Sequence, residues 1–147
     1  MELRKQIYFD TIKYICPPTH DINDITFKVS GILNVCLIEY RIMDEIEHVL
    51  NALLHVYNSD EIGLTIVCGS QNEDYIRDKF NHWNNLRIIN TGHANITRHS
   101  YSALLKSPSF WEQFTMWSHV LVYQTDALIL RKIDEEYFII IIVHFIF

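Results

Sequence analysis

The sequence predicts an α/β fold in which helices flank a mostly parallel sheet of about four or five strands. Two observations support this prediction. Short apolar runs, which are typical of strands covered on both faces, alternate with longer segments whose apolar residues recur at helical spacing. The links between these segments are short, and the 147 residues include only 4 glycines and 3 prolines. A chain of this length and pattern therefore indicates one Rossmann-like domain.

The first strand and helix follow a weakly patterned leader, which covers residues 1–31. Residues 35–38 form a continuous apolar run and predict the first strand. Residues 42–57 predict a helix, because their apolar and polar side chains separate onto two sides at helical spacing. The apolar side carries Ile42, Ile46, Val49, Leu50, Leu53 and Tyr57. The polar side carries Asp44, His48, Asn51 and His55.

The second strand and helix are predicted from an apolar run and a capping sequence. Residues 64–68 are mostly apolar and end at Gly69. The next four residues, Ser-Gln-Asn-Glu, match the capping box S-x-x-E and predict that a helix starts there. Glu73 and Arg77 add an ion pair between residues four positions apart on that helix. Its predicted inner face carries Ile76, Phe80 and Trp83.

The second half of the chain repeats the alternation. Residues 86–89 predict the third strand and residues 120–123 the fourth, and the apolar residues 127–130 are strand-like as well. Thr97 is a predicted N-cap, and Pro108 falls in the first turn of a short helix, where proline is permitted. These two helices carry Tyr101, Leu104 and Leu105, and Phe110, Trp111 and Phe114, respectively.

Four chain segments are predicted to meet at one rim of the sheet. In a parallel sheet the carboxyl ends of all strands point to the same edge, and ligands bind in the crevice there. The segments are residues 39–41, 69–70, 91–92 and 124–126. We therefore expect a functional site in this fold to be built from them.

Composition excludes several classes of protein. The formal net charge of −6 leaves no excess of Lys and Arg for binding nucleic-acid phosphates. No apolar stretch reaches about 18 residues, so we expect no transmembrane segment, and the amino terminus has no signal-peptide pattern. The 3 cysteines are widely spaced without a C-x-x-C pair, which favours free thiols in a reducing compartment. We therefore expect a cytoplasmic protein.

Several common active-site motifs are absent from the sequence. No G-x-G-x-x-G follows the first strand and no G-x-x-x-x-G-K-[ST] occurs, which makes the chain a poor candidate for an NAD-binding or P-loop domain. No G-x-S-x-G elbow follows a strand, so an α/β-hydrolase is not indicated either. His48 and His55 share a helix face, but their spacing does not suit a compact metal site.

Asp126 is the most informative residue, because it is a lone carboxylate at the mouth of an apolar strand. A hard cation such as Mg²⁺ or Mn²⁺ takes oxygen ligands, and one carboxylate can anchor the ion while a nucleotide diphosphate supplies further oxygens. Alternatively, Asp126 forms a turn in which its side chain bonds nearby backbone amides. The residues alone leave both alternatives open.

Four short motifs occur in a fixed order along the chain. They are residues 39–41 (Glu-Tyr-Arg), 72–77 (Asn-Glu-Asp-Tyr-Ile-Arg), 110–112 (Phe-Trp-Glu) and 124–127 (Gln-Thr-Asp-Ala). This succession resembles the family of glycosyltransferase-like domains known as DUF5672. In that family E-x-R ends the first strand, N-E-x-[FY]-x-R opens the second helix, F-W-E precedes the fourth strand and Q-T-D-[SA] closes it. The resemblance covers about two thirds of the chain, from residue 34 to about residue 131.

The resemblance implies half of a GT-A-like fold that binds a nucleotide-sugar donor. Carried over, Glu39 and Arg41 would lie beside the base and ribose. Gln124, Thr125 and Asp126 would lie beside the ribose and a metal–diphosphate, with Mn²⁺ or Mg²⁺ as the ion and Asp126 as its ligand. The T-D pair stands where other GT-A enzymes keep a D-x-D motif. Gly69, on the same predicted rim, completes the expected nucleotide-sugar site.

The ends of the chain depart from this family. Residues 32–137 are interpreted as the nucleotide-sugar-binding half domain, and residues 138–147 as an anomalous apolar tail unlike the family's sequence. We therefore expect a truncated or frame-shifted relative with reduced or no transferase activity, whose catalytic base would come from the missing half. The alternative is a non-catalytic α/β module with a structural or interaction role.

Overall fold

The computed structural model describes residues 25–134, together with residues 6, 7, 10 and 11. Strands and helices alternate along the described chain, which confirms the predicted α/β fold. In chain order they are β1 (Gly31–Ile38), α1 (Glu45–Val56), a 3₁₀ turn (Ser59–Glu61), β2 (Gly63–Cys68), α2 (Glu73–Lys79), β3 (Arg87–Asn90), α3 (Arg98–Lys106), α4 (Pro108–Trp111), a second 3₁₀ turn (Glu112–Phe114) and β4 (Trp117–Tyr123).

The four strands form one parallel sheet in the order β3-β2-β1-β4. From β1 the chain moves to β2 and β3 on one side, and then returns to place β4 on the other side of β1. The direction of winding therefore changes between β1 and β4, as it does at the centre of Rossmann-like sheets. Because all strands run the same way, their carboxyl ends share one rim, and a crevice is expected between β1 and β4.

The core lies on both faces of the sheet, because successive side chains of a strand point in opposite directions. On one face, Val35 and Leu37 of β1 belong to a buried cluster that includes Leu50 of α1. On the other face, Cys36 belongs to a cluster that includes Phe110 of α4. All five side chains are buried. The central strand β1 is therefore covered on both faces, as its continuous apolar run predicts.

The strand predicted for residues 127–130 does not form. The segment has no regular structure. The side chains of Ala127, Leu128 and Ile129 pack against the α1 side of the core, whereas Leu130 is exposed. A few residues later the backbone N–H of Ile133 donates to the hydroxyl of Tyr57, 2.7 Å away. The apolar pattern of residues 127–129 is thus explained by burial against the core on one face of the sheet. The described sheet has four strands.

The helix α1 begins three residues later than predicted and buries a polar residue. Ile42, assigned to the apolar side, precedes the helix and is 62% exposed. Asn51, assigned to the polar side, is buried. The prediction was wrong at these two positions, because the helix begins after Ile42 and because α1 buries more than one apolar stripe, including Asn51.

The capping box predicted at Ser70 is also wrong. The N-cap of α2 is Asn72, and its side chain makes no capping hydrogen bond, because it bonds elsewhere as described below. Ser70 is exposed, and its N–H donates to the carbonyl of His93. Trp83 is buried as expected but lies beyond the end of α2.

Other local predictions are confirmed. Thr97 caps α3 through a reciprocal pair of hydrogen bonds with Ser100, and Pro108 occupies the first turn of α4. The Glu73–Arg77 ion pair forms with an N–O distance of 2.7 Å. Within the described residues, no helix is long and apolar enough to cross a bilayer. The predicted apolar tail, residues 138–147, and most of the predicted leader lie outside the described residues.

Candidate functional site

A cleft of about 470 Å³ opens at the carboxyl rim of the sheet, where β1 and β4 separate. The segment after β1 forms one side of it, the turn after β4 forms another, and residues around the start of α3 complete it. The lining residues are Ile38, Glu39, Tyr40, Arg41, Asn95, Ile96, Tyr101, Gln124, Thr125 and Asp126. The structure thus brings together five of the six predicted site residues at the point where ligands bind in such sheets.

The carboxylate of Glu39 is buried at the base of this cleft and accepts five hydrogen bonds. Oε1 accepts from the backbone N–H groups of Tyr40 and Arg41, both at 3.0 Å, and from Nε of Arg41 at 2.8 Å. Oε2 accepts from Nη2 of Arg41 at 2.7 Å and from Oγ1 of Thr125 at 3.1 Å. The acceptor capacity of the carboxylate is therefore filled from within the protein.

Two opposing effects act on the pKa of Glu39. Burial alone raises the pKa of the carboxyl, but the hydrogen bonds and charge of Arg41, aided by Thr125, outweigh it and hold the pKa below its ordinary value of 4.5. The same hydrogen bonds raise the pKa of the Arg41 guanidinium. Glu39 and Arg41 are therefore a charged pair at neutral pH.

Arg41 is the cationic side chain among the described residues that line the cleft. Its side chain is 60% exposed, although Glu39 holds Nε and Nη2. The carboxylate of Asp126 lies close enough to contribute to the raised pKa of Arg41, as does that of Glu45. The positive charge of Arg41 thus sits between a buried anion and an exposed one.

The turn after β4 orients three polar side chains differently. Thr125 is buried and donates to Glu39, which links the ends of β4 and β1. Nε2 of Gln124 donates to the hydroxyl of Tyr101 at 2.9 Å. Asp126 is exposed on the cleft wall, and its carboxylate accepts no hydrogen bond from the described residues. The backbone N–H of Ala127 donates to the carbonyl of Gln124 and closes a turn. The alternative role of Asp126 predicted a hydrogen bond from its side chain to nearby backbone amides, and this bond does not form among the described residues.

Asn72 links the chain segments that follow β1 and β2 at this rim. It is fully buried, and its Nδ2 donates to the carbonyls of Glu39 at 2.9 Å and of Arg41 at 3.2 Å. Its Oδ1 accepts from the N–H of Gly69 at 2.9 Å. One amide therefore ties the segment after β1 to the segment after β2. The sequence signal for this role is the Asn of the N-E-x-[FY]-x-R motif.

Gly69 supports the rim without lining the cleft. A Cβ at this position would meet the ring of Tyr40 at 2.6 Å and would also strike the carbonyl of His93. This close approach explains why residue 69 is a glycine. The phenol of Tyr40 in turn shares a hydrogen bond of 2.6 Å with the hydroxyl of Thr91, which follows β3.

Two further cavities lie near the sheet. One, of about 330 Å³, adjoins the cleft and shares Tyr40, Asn95 and Ile96 with it, and Thr91 also lines it. The other, of about 500 Å³, is at the opposite rim, beside Leu33 and other residues at the starts of the strands. None of the predicted site residues lines that opposite cavity.

Three lining residues carry no sequence signal for a site. Asn95 and Ile96 belong to the loop before α3, and Tyr101 has the helical spacing of an ordinary core residue. Their position depends on how α3 packs over the rim, which local patterns do not specify. The Asn-Ile-Thr glycosylation tripeptide that begins at Asn95 gives no information about a cleft.

The side chains present can anchor a divalent ion only weakly. Among the described residues, no group of three or more His, Cys, Asp or Glu side chains is arranged to hold a metal. Glu39 has no acceptor capacity left, so Asp126 is the carboxylate of the cleft that can reach an ion. This arrangement fits Mg²⁺ sites in which one carboxylate and the phosphates of a ligand share the ion.

Comparison with known protein families gives a match over part of the chain. Residues 85–140 match the model of the family described as "Protein of unknown function (DUF5672)". The matched range contains β3, α3, α4, β4 and the turn that carries Asp126, and the match supports the family indicated by the sequence motifs. No curated protein and no solved structure matches the chain significantly.

Proposed function

We propose that the cleft binds the nucleoside diphosphate of a nucleotide sugar and that the protein acts in glycosyl transfer. One observation carries the proposal. The E-x-R segment after β1 and the Q-T-D segment after β4, more than eighty positions apart in the sequence, line the same cleft at the reversal point of the sheet. Ligands of open parallel sheets bind at this position.

The polar groups of the cleft suit such a ligand. The guanidinium of Arg41 matches the geometry and charge of a phosphate group. The amide of Gln124, already bonded to Tyr101, is exposed where a ribose hydroxyl could reach it. Apolar contacts come from Ile38 and Ile96. A few placed polar groups among apolar ones are typical of small-molecule sites.

The charges of the cleft favour a diphosphate that brings a cation. Among the described residues that line the cleft, Glu39 and Asp126 carry negative charges and Arg41 carries the one positive charge, so this lining is net negative. A diphosphate would be repelled by this balance unless further positive charge enters with it. We propose Mg²⁺ or Mn²⁺, with Asp126 as its protein ligand; the ion would supply neutralisation of the leaving diphosphate.

A thermal-shift series with UDP- and GDP-sugars, with and without Mn²⁺, tests the proposal. We expect at least one nucleotide sugar with Mn²⁺ to raise the melting temperature by about 5 °C when present at about 100 times its Kd. Asp126→Asn should reduce the shift, because the anchoring charge is lost. Asp78→Asn, which removes an exposed carboxylate on α2 far from the cleft lining, is the matched control and should behave as wild type.

The outcome that contradicts the proposal is a melting temperature of the wild-type protein that no nucleotide sugar changes, with or without the ion. That result would favour the non-catalytic interaction or structural module.

A further inference from the structure

We infer that Glu39 is a positioning residue that holds one edge of the Arg41 guanidinium so that the other edge can bind a phosphate of the ligand. The inference rests on the proposed function for the identity of the ligand. It assigns Glu39 a role that acts through Arg41, in place of direct contact with the nucleotide.

The carboxylate of Glu39 is already saturated with hydrogen bonds from the protein. It is only 6% exposed and already accepts five hydrogen bonds, four of them within 3.0 Å. A ligand hydroxyl or amine would have to displace one of these donors to reach it. Displacement would leave a buried donor such as the hydroxyl of Thr125 unpaired, which costs about 1–3 kcal/mol.

The guanidinium of Arg41 has a second edge that Glu39 leaves open. Arginine has five N–H groups in a fixed plane, and they form two edges that can each bind an oxyanion through parallel hydrogen bonds. Glu39 occupies the edge made by Nε and Nη2. The edge made by Nη1 and the second N–H of Nη2 has no hydrogen-bond partner in the described part of the chain. Arg41 lines the cleft and is 60% exposed, so a ligand can reach this edge.

Several hydrogen bonds hold the Glu39–Arg41 pair in place. Glu39 is bonded to the two backbone N–H groups that follow it and to Thr125 of the neighbouring β4 turn. Asn72 holds the carbonyls of Glu39 and Arg41 from below. A free arginine side chain loses rotational freedom when it binds an anion. Here that freedom is already restricted in the unliganded protein, so phosphate binding to Arg41 is favoured over binding to an unpaired surface arginine.

Nuclear magnetic resonance with inorganic pyrophosphate and Mg²⁺ as the probe tests the inference. We expect the Nε–H signal of Arg41 to be slow to exchange in the free protein and to shift on titration. Glu39→Gln should weaken pyrophosphate binding about tenfold or more, because a neutral amide cannot accept all five bonds. Glu73→Gln removes another Arg–carboxylate pair, on α2, in which Nε and Nη2 of Arg77 share one carboxylate oxygen. Glu73 does not line the cleft, so this variant should leave the affinity unchanged.

A double-mutant cycle separates positioning from a general structural role. Arg41→Lys keeps the positive charge but removes the planar guanidinium that can donate two parallel hydrogen bonds. It should weaken pyrophosphate binding about tenfold. If Glu39 acts through Arg41, then adding Glu39→Gln to Arg41→Lys causes little further loss. Because Arg41 is mostly exposed, Arg41→Lys is expected to fold even if Glu39→Gln does not. If Glu39→Gln does not fold, the pyrophosphate affinity of Arg41→Lys and the shift of the Arg41 Nε–H signal in the wild-type protein still test the inference.

Three results would overturn the inference: equal pyrophosphate affinity of Glu39→Gln and wild type, additive losses in the cycle, or an Arg41 signal that pyrophosphate does not shift. Its failure differs from that of the proposed function. Nucleotide-sugar binding that is indifferent to Glu39→Gln would remove only the positioning role. Binding of pyrophosphate without binding of any nucleotide sugar would remove only the proposed ligand.

Discussion

The ionised carboxylate of Glu39 stabilises the folded protein as well as organising the cleft. It joins the segment after β1 to the turn after β4 through Arg41 and Thr125. A buried carboxylate with incomplete hydrogen bonding would be costly, whereas this one is fully bonded. The residue therefore carries both a structural and, under the proposed function, a positioning role.

Acid should weaken the protein partly through this residue. Burial raises the pKa of Glu39, but its hydrogen bonds outweigh burial and hold the folded-state pKa below 4.5. A carboxyl with a lowered folded-state pKa stabilises the protein fully above its unfolded pKa, and that stabilisation is lost as the pH falls through the folded-state value. We expect wild type to exceed Glu39→Gln in free energy of unfolding at pH 7, and the gap to shrink below about pH 4.5.

Urea denaturation between pH 3 and pH 7 measures this gap. Glu73→Gln should show a smaller gap from wild type, because its ion pair with Arg77 is exposed to solvent. A gap between wild type and Glu39→Gln that stays constant down to pH 3 would contradict the linkage.

At the scale of the elements, hydrophobic periodicity predicts which segments are helices and strands, but some boundaries depend on long-range contacts. Residues 127–130 have the pattern of a strand, yet the first three of them pack against the core on one face of the sheet. The capping box at Ser70 is overridden because Asn72 bonds across to the end of β1. Neither contact can be read from local spacing, since the partners are more than thirty positions away in the sequence.

The link between β2 and α2 gives a prediction at this scale. Gly69→Ala places a methyl group against the Tyr40 ring and the His93 carbonyl. Because backbone has to move, we expect a loss of about 1–3 kcal/mol in the free energy of unfolding. Gly92→Ala is the matched control, because a methyl group at this position would contact no other atom. We expect its φ of 78° to cost an alanine about 1 kcal/mol.

Urea denaturation of the two variants compares these costs. Equal stability of Gly69→Ala and wild type would contradict the close packing under Tyr40. A larger loss in Gly92→Ala than in Gly69→Ala would show that backbone conformation, and not packing, is limiting at this rim.

For the whole molecule, the alternation of elements predicts a parallel sheet and a shared rim, but not the order of the strands. The order β3-β2-β1-β4 places the segments after β1 and β4 side by side, and it leaves Gly69 beneath Tyr40 and outside the cleft lining. Asn95 and Tyr101 enter the cleft only through the packing of α3. Sequence patterns thus predict the rim and five residues that line the cleft, whereas strand order and helix packing determine which other residues line it.

A titration of the ¹⁵N-labelled protein with UDP-glucose and GDP-mannose in the presence of Mg²⁺, followed through backbone amide shifts, tests the central claim most directly. We expect one of these ligands to shift the amides of residues 38–41, 95–101 and 124–126 together. Shifts confined to residues around Leu33 and Lys132 at the opposite rim, or no shifts with either ligand, would contradict it.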